Sequence, residues 1–387
     1  MASGHIIQFS PGVSRIVTLA QLQNCKAWKR AFENKGKDHR YYEIVEETVE
    51  GDFEHHYLLL ADESGNAHAV QPVFFVRQNL VEGIPGKISS IVDRVRKIFP
   101  RFLTMRVLMV GCVAGTGDLD ACEAKDEPWI ANTLQTSLSG YARQHKASLV
   151  VLKDFPASYR SDLETFPLNG YARIPSMPMT RLALHYKDWD DYFRTLSKAT
   201  RKDLRRKFRK AEHAPRIEME VVSDIAPVVD EIYPLYLAVH ERSPLKFETL
   251  TKDYFRAIGQ RMPDRARFFI WRQLGKIVAF SFCLVYNDKI YDECIGLDYS
   301  VALDLHLYFY TLRDIISWAL AQGLKYYYSN PLNYEPKLRL DCELVPLDLY
   351  VMHTNRLLNP IFRHFIKYLG PTRHDPVLQR FPNADQL

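Results

Sequence analysis

Four residues between Lys289 and Arg339 have the side chains needed to move protons around a carbonyl: Glu293, His306, Tyr334 and Lys337. A carboxylate or imidazole can take the proton from an amine. A lysine can steady an anion. A tyrosine can protonate a departing oxygen or sulfur. Together they suit direct acyl transfer, in which a carbonyl oxygen must also be polarised, a task a backbone N–H can perform. Cys294–Leu297 is the candidate for that donor, with Gly296 permitting close approach. Alternation along a strand puts Tyr291, Glu293, Ile295 and Leu297 on one face, and Asp292, Cys294 and Asp298 on the other. Among apolar neighbours, a buried Glu293 would have a raised pKa.

The elements that position these residues run strand, loop, helix, strand. A β-rich run ends near Tyr299, a helix opens near Asp304 and closes at Gly323, and a short strand, Leu324 to Ser329, follows. This order presents a helix N-terminus to an anion. Upstream, Arg267–Gln273 and Ile277–Tyr286 read as strands joined at Leu274-Gly275, with Lys289–Asp298 as the third. The first half has the same order. Tyr41–Val49, His56–Ala61 and His68–Arg77 read as strands, Val81–Phe99 as a helix, Met105–Gly111 as a strand, Trp129–His145 as a helix and Ser148–Lys153 as a strand. Between the halves, Asp188–Ala211 reads as one long amphipathic helix. A final helix is expected over Asn359–Leu369.

The 387 residues are 47% apolar and 25% charged, as in an ordinary globular protein, and no uncharged run is long enough to span a membrane. No secretory leader pattern opens the sequence, and six scattered cysteines without a C-x-x-C pair suit a reducing cytoplasm. The net charge of +5 is local. Lys198–Lys210 holds eight basic residues and one acid, a net +7, so the remainder is slightly acidic. An anionic partner is therefore expected at Arg201, Arg205, Arg206 and Arg209. Cys112–Asp120 is glycine-rich but has neither the Lys-Ser/Thr of a P-loop nor a dinucleotide spacing. It reads as a loop lining an acceptor cleft. No metal signature is apparent.

Three segments resemble the GNAT acyltransferase superfamily, and within it the FemAB-like branch of tandem GNAT proteins and bacterial predicted N-acyltransferases. Ser197–Arg209 resembles the basic helix before the second unit of those proteins. Leu305-His306-Leu307-Tyr308 is similar to their Leu-His-Phe-Glu helix start. Tyr334-Glu335-Pro336-Lys337, trailed by Arg339, is similar to their Gly-Glu-His-Lys segment. The resemblance spans roughly residues 180–350. It implies an α+β (mixed α/β) fold of two GNAT-like units, each a mostly antiparallel twisted sheet flanked by helices. The expected division is a lead-in over 1–38, an acceptor-side unit over 39–187, a connecting helix over 188–215, a catalytic unit over 216–352 and a helical tail over 353–387. The resemblance adds weight to catalysis by His306 and Lys337, beside Glu293 and Tyr334, which are candidates by their own chemistry. It also implies a donor site at Gly296, Leu297, Asp298, Leu305, Tyr308, Tyr328 and Asn330, with the acceptor amine in the cleft between the units.

The sequence departs from that pattern at Tyr308, Pro336 and Glu293, where relatives tend to carry Glu, His and Arg. Ser300–Asp304 also lacks the glycines that let a backbone approach a pyrophosphate. The acyl donor, acyl-CoA or aminoacyl-tRNA, is expected as a co-substrate with no tightly bound cofactor. Three readings remain open. One is an N-acyltransferase moving an acetyl, aminoacyl or fatty acyl group. Another is an inactive GNAT-fold protein binding RNA or phosphates through Lys198–Lys210. The third is an ordinary acetyl-CoA-dependent N-acetyltransferase.

Overall fold

The computed structural model describes residues 6–9, 12–79, 94, 95, 97, 104–366, 368 and 370–387. The helix expected over Val81–Phe99 lies outside the described residues.

The strands in chain order are β1 (Ile6–Phe9), β2 (Gly12–Val17), β3 (Glu54–Ala61), β4 (Ala67–Asn79), β5 (Thr104–Val110), β6 (Leu149–Pro156), β7 (Ala172–Pro175), β8 (Met179–Ala183), β9 (Ile217–Val222), β10 (Ala266–Gln273), β11 (Lys276–Tyr286), β12 (Lys289–Leu297), β13 (Tyr326–Ser329), β14 (Glu343–Val345) and β15 (Leu347–His353). Helices α1 (Leu19–Leu22), α2 (Lys26–Phe32) and α3 (His39–Thr48) precede β3, and α4 (Glu127–Gln144) and α5 (Thr165–Leu168) flank β6. Then come α6 (Trp189–Thr195), α7 (Lys198–Glu212), α8 (Val229–His240), α9 (Lys252–Arg261), α10 (Leu307–Ala321), α11 (Tyr334–Arg339) and α12 (Asn359–Ile366).

Two compact units result, the first formed by residues 1–177 and 346–376 and the second by residues 178–345 and 377–386. The first holds the sheet β1-β2-β3-β4-β5-β6-β15-β7, and the second holds β14-β8-β13-β12-β11-β10-β9. The repeat in the sequence is a repeat of topology. In each unit two antiparallel pairings are followed by one parallel pairing across a helix, β5 with β6 in the first unit and β12 with β13 in the second. The helix is required because parallel neighbours need a long crossover. The sequence division misses an exchange. Strand β8, in the range assigned to the first unit, joins the second sheet, whereas β15, expected at the end of the second unit, joins the first.

Two elements differ from expectation. Tyr41–Val49 is not a strand but lies largely within helix α3. Asp38 caps this helix by accepting from the Arg40 N–H, and Tyr41, Tyr42, Ile44 and Val45 are buried at helical spacing. Aromatic and β-branched content suggested a strand, but the cap and the period of the apolar residues decided for a helix. The long helix over Asp188–Ala211 is two helices, α6 and α7, broken at Leu196-Ser197. Asp188 caps the first, and Ser197 caps the second by accepting from the Thr200 N–H. The helix expected to open near Asp304 begins at Leu307, after a coiled segment of turns.

The core of the second unit joins the apolar stripe of α7 (Leu204, Phe208, Ala211) to the inner side of α10 (Leu312, Ile315, Ile316, Ala319) and to the facing strands. Tyr327 of β13 belongs to this core as well.

Candidate active site

The geometry of the second unit turns on one extra residue. β12 pairs with β11 from Tyr286↔Lys289 to Cys283↔Asp292, and the register then shifts so that Phe282 faces Cys294. Glu293 has no opposite number; it is a β-bulge, and a bulge re-aims every side chain beyond it. The strict alternation expected along Tyr291–Leu297 therefore fails. Ile290 lies in the core on one side of the bulge, and Leu297, with Ile295 packed against it, enters the same core on the other side.

The parallel partner departs at the same place. β12 and β13 pair only from Lys289↔Tyr326 to Asp292↔Ser329, yet β12 continues to Leu297. Asn330 spans the opening, its amide donating to Glu293 O at 2.8 Å and to Glu293 Oε2 at 3.0 Å. The Asp298 N–H donates to Val278 O of β11. Alternating back from it, the backbone groups of Ile295 and Leu297 point away from β11, toward the side that β13 has left. Strand amides turned toward an opening are suited to polarising a carbonyl oxygen. Gly296 serves a different approach. A Cβ there would lie 2.2 Å from the Phe280 ring and 2.7 Å from Tyr236 N, so glycine admits the backbone of α8 against the strand.

The bulge also decides which acid is enclosed. Asp292 retains some solvent exposure as a residue, but its carboxylate is taken up internally. Oδ1 accepts from Ser281 Oγ at 2.5 Å and Oδ2 from Tyr327 OH at 2.8 Å. Burial raises its pKa, and these two hydrogen bonds together with the charge of Lys337 pull the other way. The acid of this strand that burial raises is thus Asp292. Asp292, Ser281 and Tyr327 were missed because local alternation turned Asp292 away. The available signal was an Asp in the middle of a strand, where that residue is depleted.

Lys337 is 2% exposed and lies in helix α11. Its Nζ donates to Asn330 O and, at 2.8 Å, to Leu332 O. It thereby holds a loop whose Leu332 and Asn333 have φ of 74° and 49°. Burial presses its pKa down to about 8, opposed by the charge of Asp292. Tyr308 stands in the first turn of α10. Burial pushes its hydroxyl pKa up, with Asp292 adding to the shift and a hydrogen bond to Asn333 opposing it.

The structure thus brings Glu293, Asn330, Lys337 and Tyr308 around Asp292. Three other residues lie differently. The Tyr334 hydroxyl is buried and donates to Pro178 O at 2.9 Å. His306 precedes α10 in the left-handed region, with φ 51°. Its pKa is lowered by burial and by Lys210, Lys207 and Arg206, which places it beside the basic helix. Tyr328 stacks on Tyr291 with ring centroids 4.8 Å apart. Of the remaining donor candidates, Leu305 packs against the core, and Asp298 accepts from Lys276 Nζ at 2.6 Å and from Ser300 Oγ at 2.6 Å. The segment before α10 uses its own amides. Val301 and Ala302 donate to Asp298 O, Leu307 to Ala302 O, and Phe309 and Tyr310 to His306 O.

On α7 the four phosphate candidates divide. Arg201 donates to Arg194 O and Leu196 O and so caps the end of α6. Arg206 pairs with Asp203 at 2.8 Å, an acid shared with Lys207 and Arg339. Arg205 lies over the Phe193 ring. Arg209 is exposed and, among the described residues, has no carboxylate partner; the same holds for Lys198, Lys202 and Lys210. Lys198, Lys202, Arg205 and Arg209 follow helical spacing, so one face of α7 is a cationic stripe.

Residues 198–335 match the family model described as the acetyltransferase (GNAT) domain. Among solved structures, FemX superposes with a TM-score of 0.53 at 10% identity, over 90% of this chain and 99% of that one. Two looser likenesses have TM-scores of 0.48. A tandem GNAT protein from the clavulanic acid biosynthesis pathway is 10% identical over 88% of this chain and 99% of that one. L-PGS from Bacillus licheniformis is 12% identical over 87% and 97%. No curated protein matches. At these identities the likeness to FemX is one of fold. Residues 198–335 thus match the acetyltransferase (GNAT) domain model, and the chain as a whole shares the fold of FemX.

Proposed function

We propose that the protein is an N-acyltransferase that passes an activated acyl group directly to an amine, with the reacting carbonyl seated where β12 and β13 part. The observation that carries this reading is the end of their pairing at Asp292 and Ser329 while β12 runs on to Leu297. The Ile295 and Leu297 amides polarise the acyl oxygen. Glu293, held by Asn330, takes the proton of the attacking amine as the N–C bond forms. The bond to the leaving oxygen or sulfur then breaks, and that atom takes a proton from Tyr308, whose hydroxyl burial keeps protonated. Lys337 positions the Asn330–Asn333 loop, and His306, beside Lys207 and Lys210 of α7, faces the anionic part of the donor.

The donor we favour carries a polyphosphate backbone, as aminoacyl-tRNA does. The stripe on α7 supports this, as do the amides before α10 that are already committed to carbonyls and are poor material for a pyrophosphate cradle. Acyl-CoA remains the alternative donor.

The test supplies purified protein with acyl-CoAs and with aminoacyl-tRNAs against a panel of amines. Transfer that rises with tRNA-linked donors, falls steeply with salt and is lost in Glu293→Gln supports the reading. Transfer from acyl-CoA alone moves the donor to the ordinary class. If neither donor is used, or if Glu293→Gln is fully active, the proposed site fails.

A further inference from the structure

The described residues include nine large apolar side chains that are markedly exposed, and six of them gather on one patch of the first unit: Leu168, Leu357, Leu358, Ile361, Phe365 and Tyr368. Five come from α12 and its flanks, and Leu358, Ile361, Phe365 and Tyr368 follow each other at spacings of three, four and three. That is one stripe of a helix. The opposite side of α12 holds the element in place. Phe362 packs against the His353 ring, Asn359 Nδ2 donates to Gly170 O at 2.8 Å, and Arg363 donates to Pro167 O next to Leu168. The apolar stripe is therefore turned outward by a docked helix, with side chains between 49% and 84% exposed.

The segment that carries the stripe is charged with one sign. From Asn355 to His374 the sequence carries Arg356, Arg363, Lys367 and Arg373 and no acid. We infer that this face seats on an anionic lipid surface, with α12 lying in the plane of the interface. An apolar helical stripe rimmed by Arg and Lys binds such surfaces by burying its side chains below the headgroups and pairing its cations with them. A second copy of the chain is the less suitable occupant. A two-fold contact would bring the same cations against themselves, and six side chains fall short of the roughly 800 Å² per partner that a stable dimer buries. Among the described residues no helix is long and apolar enough to cross a membrane, so the attachment is peripheral.

The experiment sediments the full chain with vesicles of phosphatidylcholine alone and of phosphatidylcholine mixed with phosphatidylglycerol. The wild type is expected to co-sediment with the anionic vesicles only, less so in high salt. Ile361→Glu combined with Phe365→Glu should lower the partition by about tenfold or more, with the far-ultraviolet circular dichroism and melting temperature unchanged because both side chains are exposed. Arg356→Glu with Arg373→Glu should lower it while leaving the apolar stripe intact. The inference is overturned if the wild type ignores anionic vesicles, binds neutral ones equally well, or binds no better than the Ile361/Phe365 variant. It is also overturned if that variant instead converts a solution dimer to a monomer, which would assign the face to a second copy.

Discussion

The two units share a strand plan and differ at the one place where that plan leaves a gap. In the first, β5 and β6 stop pairing at Val110↔Leu152, and the chain after β5 turns back into the opening. Gly117 N–H donates to Asp154 O at 3.1 Å, and Lys153 Nζ donates to Gly115 O at 2.8 Å. A Cβ on Gly117 would lie 2.4 Å from Lys153 O, so only glycine lets the loop lie on β6. The glycines of Cys112–Asp120, read from the sequence as lining a cleft, serve this backfilling. In the second unit the corresponding segment has no glycine and coils on itself, and the opening beyond Asp292 is bridged by the side chains of Asn330 and Glu293. One fold can thus close the same gap with a loop backbone or with side chains, and the difference lies in the loop that follows the strand.

The sharpest break in that comparison is catalytic. Glu293→Gln should lower turnover by about a hundredfold or more while the circular dichroism spectrum is kept. Asp120→Asn in the first unit, which loosens the buried pairing of Asp120 with Lys35 at 2.7 Å, should register in the melting temperature rather than in turnover. Equal loss of turnover from both would mean that the two units are not so divided.

Next in size is the backfilled loop. Gly117→Ala should cost about 2 kcal/mol or more, read by urea unfolding, because the loop must lift off β6. A neutral result would show the first wedge to be looser than its glycines imply.

Lys337 gives a pH signature. Its folded pKa of about 8 lies below the value of about 10.4 expected for an unfolded lysine. Between those pH values the unfolded chain binds more protons, so this residue makes stability rise with pH across that window. Lys337→Met should lack that rise, as followed by melting temperature from pH 7 to pH 10. Parallel curves for the two proteins would place the lysine in a wetter site.

The smallest expected change in stability concerns α7. Replacing Lys198, Lys202, Arg205 and Arg209 by Gln relieves like-charge neighbours worth about 0.2–0.5 kcal/mol each, so the melting temperature should scarcely move. Affinity for a polyphosphate ligand should nevertheless fall, and the slope of log affinity against log salt should flatten.

Much of the second unit was legible because its signals are local. Leu274-Gly275 takes positive φ at both residues, as a two-residue hairpin turn requires. The apolar stripe of α7 and the strand–helix–strand order through Ser329 also follow from nearest neighbours. The terminal strands were not legible. Met179–Ala183 and Leu347–His353 find their partners across a long stretch of chain, and nothing within five or seven residues says which sheet will take them.

Composition, period and punctuation by themselves determined that two similar α/β arrangements would form in tandem and that positive charge would gather on one helix. These properties depend on residues within a turn or a strand of one another. Tertiary structure alone decided which carboxylate on β12 is enclosed. The register with β11 makes Glu293 the extra residue of a bulge, and with a side-chain period of two, one such residue exchanges inside for outside. It also decided that Lys337 is buried against the Asn330 and Leu332 carbonyls, because that burial is set by a loop folding back over it and not by the lysine or its neighbours in sequence.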